Sequence, residues 1–350
     1  MSPVGPRTRA GKMASWLRDL PAHVRGLPGA WQRFWFAGVD ARILGLMRIL
    51  LGLIALSTHI TLYGELPFVL GPQAELFSSS SLHSWTNFSI YDQVESVEAL
   101  RQLHTLFLIP LVLMILGVGG RLGCLGVLLW YMSLHHGNTW MLNAGDRLVR
   151  LSCFAMLFTA HTSAWSVDAW VMRKLGRPLR RMLPMTTHRL VQIQIAWMYI
   201  ATGVAKWDGA HWHRGTALYY TMNTEVFQRF PGLLSYEFFA SWPVYIILVI
   251  GTWVTLYWEL LFPALVLWRP TRILALCIGV FVHTGIAATM MVASFSFASL
   301  WGYIAYLDPD RLSRLFDRVE RRLGLAPPEP PLSPEAGPTP PPDGRSAAPA

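Results

Sequence analysis

The sequence predicts an all-α membrane protein: a polytopic bundle of about eight transmembrane helices with interfacial helices at both ends. Three observations carry this. Of 350 residues, 53% are hydrophobic and only 14% are charged, whereas an ordinary soluble domain carries about a quarter charged residues. Several apolar runs reach the ~20 residues that cross a bilayer as a helix. The 16 Trp and 11 Tyr fall mostly near the ends of those runs, where amphipathic rings favour the headgroup level.

Residues 1–36 form a basic leader, and 1–14 read as a disordered tail. From Ser15 to Phe36, Arg alternates with Trp, Leu and Phe, and Pro and Gly interrupt the run. Two readings stand here: broken interfacial helices on an anionic inner leaflet, or an irregular basic segment. The first span, Ile43–Tyr63, carries Arg48 and is too long and too far in for a cleaved signal peptide. A polar segment over 64–101 holds Glu65, Glu75, Asp92, Glu95 and Glu98. The next spans are Leu103–Gly117, a short Leu122–Leu134, and Leu148–Val171 with His161, whose end reads as interfacial. Arg173–Arg189 is the most basic loop, and Leu190–Lys206 is the fifth span. A second polar loop, Trp207–Trp242, holds a short helix around Tyr219–Phe230. Pro243–Trp268 with Glu259, Arg272–Met291 with His283, and a short Phe295–Leu307 complete the spans, so the membrane domain covers 37–310. Residues 311–325 read as a basic amphipathic helix, and the Pro-rich 326–350 cannot bury enough apolar surface to fold.

With eight spans, the N-terminus, Arg121, the Arg173–Arg189 loop, Arg269 with Arg272, and the Arg311–Arg322 helix fall on one side. The acidic 64–101 segment and the 135–147 and 207–242 loops fall on the other. Excess Lys and Arg mark cytoplasmic loops. Both termini are therefore expected in the cytoplasm, with Lys206 facing outward; the likeness to bacterial proteins set out below implies the inner membrane of a bacterium. The net charge of +9 is explained by this asymmetry without a nucleic-acid partner; the expected partners are the lipid bilayer and a membrane or extracytoplasmic protein.

Ionisable residues inside a membrane are expensive and are functional hypotheses by default. Arg48 and Glu259 both fall in the inner halves of their spans and are placed to pair. His161 and His283 fall near mid-membrane, where a lone His more often bonds to a neighbouring helix than to a ligand. No spacing supports a metal, and Cys124, Cys153 and Cys277 lack the pattern of a disulfide framework or a zinc site. Gln192, Ala196, Tyr199, Gly203 and Lys206 recur at spacings of three and four, and share one small, polar helix face suited to a cavity. For Lys206 two readings stay open. It is a snorkelling anchor, or a base made by a dry pocket, which eases loss of the ammonium proton. Trp207, Asp208, His211, Trp212 and His213 crowd the same point.

Three stretches resemble the membrane domain of the vitamin K-dependent gamma-carboxylases and their bacterial relatives, the HTTM (horizontally transferred transmembrane) proteins. They are Arg42-Ile-Leu-Gly-Leu-Met-Arg48-Ile-Leu-Leu-Gly52; Asn143-Ala-Gly-Asp146-Arg-Leu-Val-Arg150 with Trp165-Ser-Val-Asp168; and Thr202-Gly-Val-Ala-Lys206-Trp-Asp208 with Trp212 and Gly215. Weaker agreement continues through Glu259 with Pro263 and through Phe281-Val-His283 to Phe295, so the likeness spans roughly Arg42 to Leu307. In the carboxylases, the lysine matching Lys206 is the base that deprotonates vitamin K hydroquinone. The resemblance thus implies a quinol-linked enzyme of epoxidase or carboxylase type. Its cofactor would be a reduced quinone such as menaquinol, and it would hold no metal. Lys206 is then the catalytic residue. Its polar neighbours are Asp208, His211, Asp146 and Arg150, and Tyr199, Trp207 and Trp212 form an aromatic wall of the kind a flat ring needs.

The departures from that family limit the transfer. Ala205 replaces the first lysine of the pair, Asn143-Ala-Gly145 stands where the family has a histidine, and the family's disulfide has no counterpart. The carboxylases also carry a large lumenal domain where this sequence has a short helix and a Pro-rich tail. The competing expectation is a non-catalytic scaffold or partner subunit that keeps the fold. A transporter is disfavoured, because no pair of Gly/Pro-broken spans repeats in two halves.

Overall fold

A computed structural model describes residues 20–70, 74, 89–138, 143–230 and 235–325. Residues 1–19, Glu75 and the 326–350 tail lie outside the described residues. The fold is an all-α bundle in which one two-stranded ladder and an isolated bridge between Gln228 and Met290 are the β-structure described.

Helix α1, Leu20–Phe36, is one helix that runs through Pro28. It is not the broken series that its prolines and glycines suggested. Strand β1, Gly38–Asp40, pairs antiparallel with β2, Met182–Pro184. Asp40 then caps α2, Ala41–Val69, by accepting from the Arg42 backbone N–H, which satisfies one of the donors a helix start leaves free. This first long helix extends past both ends of the predicted span, and at 29 residues it is about 43 Å long.

Helix α3, Val97–Leu106, begins earlier than predicted and runs into α4, Leu108–Leu116. Gly117 ends α4 at φ 68°, a left-handed conformation that only glycine adopts freely. The chain then turns into α5, Leu122–Gly137. Gly123 lets α5 press on α4, since a Cβ there would lie 2.5 Å from the Met114 backbone nitrogen.

The predicted fourth span is not one helix. Helix α6, Ala144–Met156, stops, and an irregular turn leads to the short α7, Val167–Lys174. Trp165 in that turn has φ 48°, uncommon for a residue with a side chain. Helix α8, Thr186–Trp207, is followed by three short helices: α9, Ala210–His213; α10, Ala217–Met222; and α11, Tyr236–Ala240. These replace the single Tyr219–Phe230 helix expected from sequence. Helices α12, Trp242–Leu267, α13, Arg269–Thr289, and α14, Ala293–Tyr303, complete the bundle, and α15, Pro309–Arg322, follows.

Among the described residues, four segments are long and apolar enough to cross a membrane: Ala41–Val69, Val97–Leu116, Trp242–Leu267 and Arg269–Thr289. The other four predicted spans correspond to α5, α6, α8 and α14, which are shorter or more polar and supply much of the buried core around Trp130, Cys153, Val191 and Trp301.

At one end of the bundle, the first long helix, α2, and the last helix, α15, are locked together. Arg42 reaches Asp40 at 2.6 Å, Glu320 at 2.7 Å and Asp317 at 2.8 Å. Glu320 also accepts from the Trp165 indole at 3.0 Å. Burial opposes the Asp40 carboxylate, but the hydrogen bonds and charge of Arg42 outweigh it and hold the acid below its ordinary value.

Candidate functional site

Two buried polar centres distinguish this bundle. The first joins α8 to α12. Gly203 brings the helices together: a Cβ at that position would meet the Leu260 backbone nitrogen at 3.0 Å. One turn further on, Lys206 Nζ donates to Glu259 Oε2 at 2.5 Å. The side chains are 23% and 9% exposed respectively, so the pair is largely desolvated while the ammonium keeps a limited opening. The Trp212 ring lies 5.2 Å from Nζ, within range of a cation–π contact.

Depth along α12 gives this pair its meaning. Glu259 lies about 26 Å along the helix from Trp242 and about 12 Å from Leu267. Lys206, in the last turn of α8 as the sequence placed it, therefore meets its partner well inside the apolar length of α12. Helix α8 stops at that level. The short α9 and α10 then pack against the remainder of α12, with Trp253 Nε1 donating to the His213 carbonyl and Thr252 accepting from the Leu218 N–H.

Behind the ion pair lies a row of hydroxyls and an imidazole. The Tyr199 hydroxyl is 2.5 Å from that of Tyr303 and 2.6 Å from His283 Nε2. All three side chains are buried. Trp258 and Phe262 enclose Tyr199, at 4.7 and 4.4 Å between ring centroids.

The second centre surrounds Arg48, which is fully buried. The pairing with Glu259 expected from sequence does not occur. Arg48 instead donates from Nη2 to the Trp165 carbonyl at 2.5 Å, because the break between α6 and α7 turns that carbonyl inward. Among the described residues, its Nε and Nη1 have no partner. Close by, Cys124 Sγ and His161 Nε2 are 3.4 Å apart. Asp168 is occupied elsewhere, accepting from the Gly119 and Gly120 N–H groups at 3.0 and 2.7 Å.

The remaining sequence candidates separate. Trp212 and Lys206 come together, and Tyr199 stands behind them. Trp207 packs on His213 and Tyr257. Asp208 is exposed at the end of α8, and His211 bonds to Thr216. Asp146 closes a capping box with Asn143 at the start of α6, with Arg150 one turn along the same helix. The small polar face of α8 packs against other helices: Gln192 donates to the Ala305 carbonyl and Gly203 abuts α12. An apolar groove of about 390 Å³, bounded by residues including Leu53, Phe297 and Trp301, lies between α2 and α14 and not at Lys206.

Sequence reasoning missed Tyr303 and a stacked histidine pair. The rings of His59 and His104 lie 3.9 Å apart, and each Nε2–H donates to the other residue's carbonyl, at 2.8 and 3.0 Å. Tyr91 donates to His104 Nδ1 at 3.0 Å and accepts from the Trp130 indole at 3.0 Å. Every polar atom of that chain from Trp130 to His59 Nε2 is bonded, as a helix staple requires.

The HTTM domain model matches residues 36–310, which contain both polar centres. This chain belongs to the HTTM domain family. Among curated proteins, the HTTM chain is 29% identical over 206 residues to the "Uncharacterized protein YitO" of Bacillus subtilis (strain 168), covering 57% of this chain and 64% of that relative. The match thus spans less than two thirds of the relative's length. No solved structure matches this HTTM protein. Among the described residues no group of three or more His, Cys, Asp or Glu side chains is placed to hold a metal ion.

Proposed function

We propose that this HTTM protein is a quinol-linked membrane enzyme in which Lys206, held by Glu259, is the group that takes a proton from the substrate hydroxyl. The observation that carries the reading is the Lys206–Glu259 contact of 2.5 Å inside the apolar bundle, capped by Trp212. Water competes poorly for a proton shared by two such groups, and a carboxylate beside an amine gives that proton a second place to reside. Lys206 serves as base when its own proton passes to Glu259, which leaves the amine lone pair for the incoming one. Trp212 keeps Nζ from swinging away.

The surroundings fit a flat, lipid-soluble ring carrying a hydroxyl. Trp212, Trp207 and Tyr257 supply aromatic surface, the latter two about half exposed, and the opening at Nζ supplies the polar contact. A bound quinol would supply the acidic hydroxyl and two electrons. In this reading the termini are cytoplasmic, as the Lys and Arg asymmetry predicts, and the chain lies in a bacterial inner membrane, as its likeness to bacterial HTTM proteins implies.

The test is organic extraction and mass spectrometry of the protein purified in mild detergent, beside Lys206→Ala, with quinol oxidation followed optically in proteoliposomes. Bound quinone and a rate that collapses in Lys206→Ala are expected. Full quinol oxidation by Lys206→Ala would sink the base assignment, and a protein that neither binds nor oxidises any quinol would sink the quinol reading.

A further inference from the structure

Helix α15 has three faces when its residues are set about 100° apart. One carries Phe316, packed on Trp165 at 4.8 Å between ring centroids, and the acids Asp317 and Glu320 that hold Arg42. Beside it run Leu315, Val319 and Leu323, four residues apart and all exposed. The third face carries Arg311, Arg314, Arg318, Arg321 and Arg322, exposed as well. An open apolar stripe next to a row of arginines is unfavourable in water. At a lipid boundary it is favourable, because the stripe meets acyl chains and the guanidinium groups meet phosphates.

A second basic segment is tied to the same corner. Residues 173–181, Arg173-Lys-Leu-Gly-Arg177-Pro-Leu-Arg-Arg181, contain no acid, and Leu175, Arg177, Arg180 and Arg181 are exposed. The chain reaches this segment through α7 from Trp165, whose indole donates to Glu320 at 3.0 Å. It leaves through Arg181, whose carbonyl accepts from the Ala41 N–H at 2.9 Å, next to Arg42. The clamp also sets a depth. Arg42 directly precedes Ile43, where the apolar length of α2 begins, so α15 docks at the level where the chain enters its first span.

We propose that α15 and residues 173–181 form one binding site for anionic lipids, assembled by the Arg42 clamp. Arginines of both segments hold the lipid phosphates, and Leu315, Val319 and Leu323 lie among the acyl chains. A soluble acidic partner would satisfy the arginines and leave the apolar stripe in water, whereas a lipid fits both parts of the surface. Asp317 and Glu320 serve assembly: their bonds to Arg42 keep the arginine row beside the second segment.

Native mass spectrometry of the full-length protein in mixed micelles measures binding of dioleoyl-phosphatidylglycerol against dioleoyl-phosphatidylcholine, which has the same chains. Wild type should prefer phosphatidylglycerol. Arg314→Gln with Arg318→Gln, and separately Arg177→Gln with Arg180→Gln, should each weaken that binding by about tenfold or more, since an arginine near an anionic surface contributes about fivefold. Arg147→Gln with Arg214→Gln removes equal charge from exposed positions elsewhere and, beyond the screening length, should change binding by less than about twofold. The decisive variant is Asp317→Asn with Glu320→Gln. It removes two negative charges beside the arginines, so attraction by charge alone predicts tighter phosphatidylglycerol binding, whereas loss of the clamp predicts weaker binding. Glu320→Gln alone serves if the double variant fails to fold. Equal binding of the two lipids by wild type, an equal loss in the Arg147/Arg214 control, or tighter binding by the clamp variant overturns the proposal. Binding of polyglutamate without preference between the lipids would assign the face to an acidic protein and likewise overturn it. The assay needs no chemistry at Lys206.

Discussion

Replacing Glu259 by leucine leaves the Lys206 ammonium facing apolar helix with no carboxylate in contact. At 2.5 Å and an effective dielectric of about 20, the attraction between unit charges is ~7 kcal/mol, most of it offset by desolvation of the two groups. Removing one partner of such a pair typically costs about 3–5 kcal/mol, whereas replacing both with apolar groups of similar volume is near neutral or stabilising. The Lys206 side chain is 23% exposed, which places the expected loss for Glu259→Leu at the low end, about 3 kcal/mol. The double variant Lys206→Met/Glu259→Leu should return to within about 1 kcal/mol of wild type. Reversible unfolding by SDS in mixed micelles measures all four proteins of this cycle, and the coupling energy should exceed about 2 kcal/mol. If the two single losses simply add, with coupling under about 0.5 kcal/mol, the contact carries no energetic partnership and the site assignment loses its physical basis.

Four further outcomes follow from other parts of the bundle. Gly117→Ala places a Cβ against the Arg48 guanidinium at a residue with φ 68°; it should destabilise by more than about 2 kcal/mol. Gly64→Ala, in a helix with open space around that position, should instead gain about 0.5–1 kcal/mol by the same unfolding assay. Glu320→Gln with Asp317→Asn should free α15 and speed its trypsin cleavage several-fold, with a free-energy change held to about 1 kcal/mol because Asp317 is 45% exposed. The Asp40 carboxyl is held below its ordinary value of 3.8. Its contribution is therefore fully present above that value and lost as pH falls through the lower folded one, so an acid limb in thermal stability should appear below 3.8 and be absent from Asp40→Asn.

Much of the architecture was legible because apolar length and turn residues dictate helices wherever lipid replaces water. The depth of Lys206 was not, because counting residues from the end of a run assumes that neighbouring helices end at one level. Helix α8 stops beside the middle of α12, and it is the close approach at Gly203 that sets the two in register. Arg48 misled for a related reason. A charge in a span suggests a charged partner, but the turn around Trp165 offered a carbonyl, and a broken helix is hard to distinguish from a continuous one when both are apolar. His59 and His104 sit alone in their own segments, so nothing local indicated that their rings would stack. Tyr303 carried a faint signal: Ser296, Ser299 and Tyr303 share a face of α14, a polar stripe inside an otherwise apolar run.

The Arg42 clamp also has a time attached to it. Its partner Glu320 lies 278 residues further along the chain, and at about 5–20 residues per second that separation is ~15–60 s of synthesis. Throughout that interval α2 is already made, while the acids of α15 that complete its clamp do not yet exist. A chain that stops early, or loses its last helix to a protease, leaves Arg42 with Asp40 alone. The contact is therefore made only once the last helix has been synthesised.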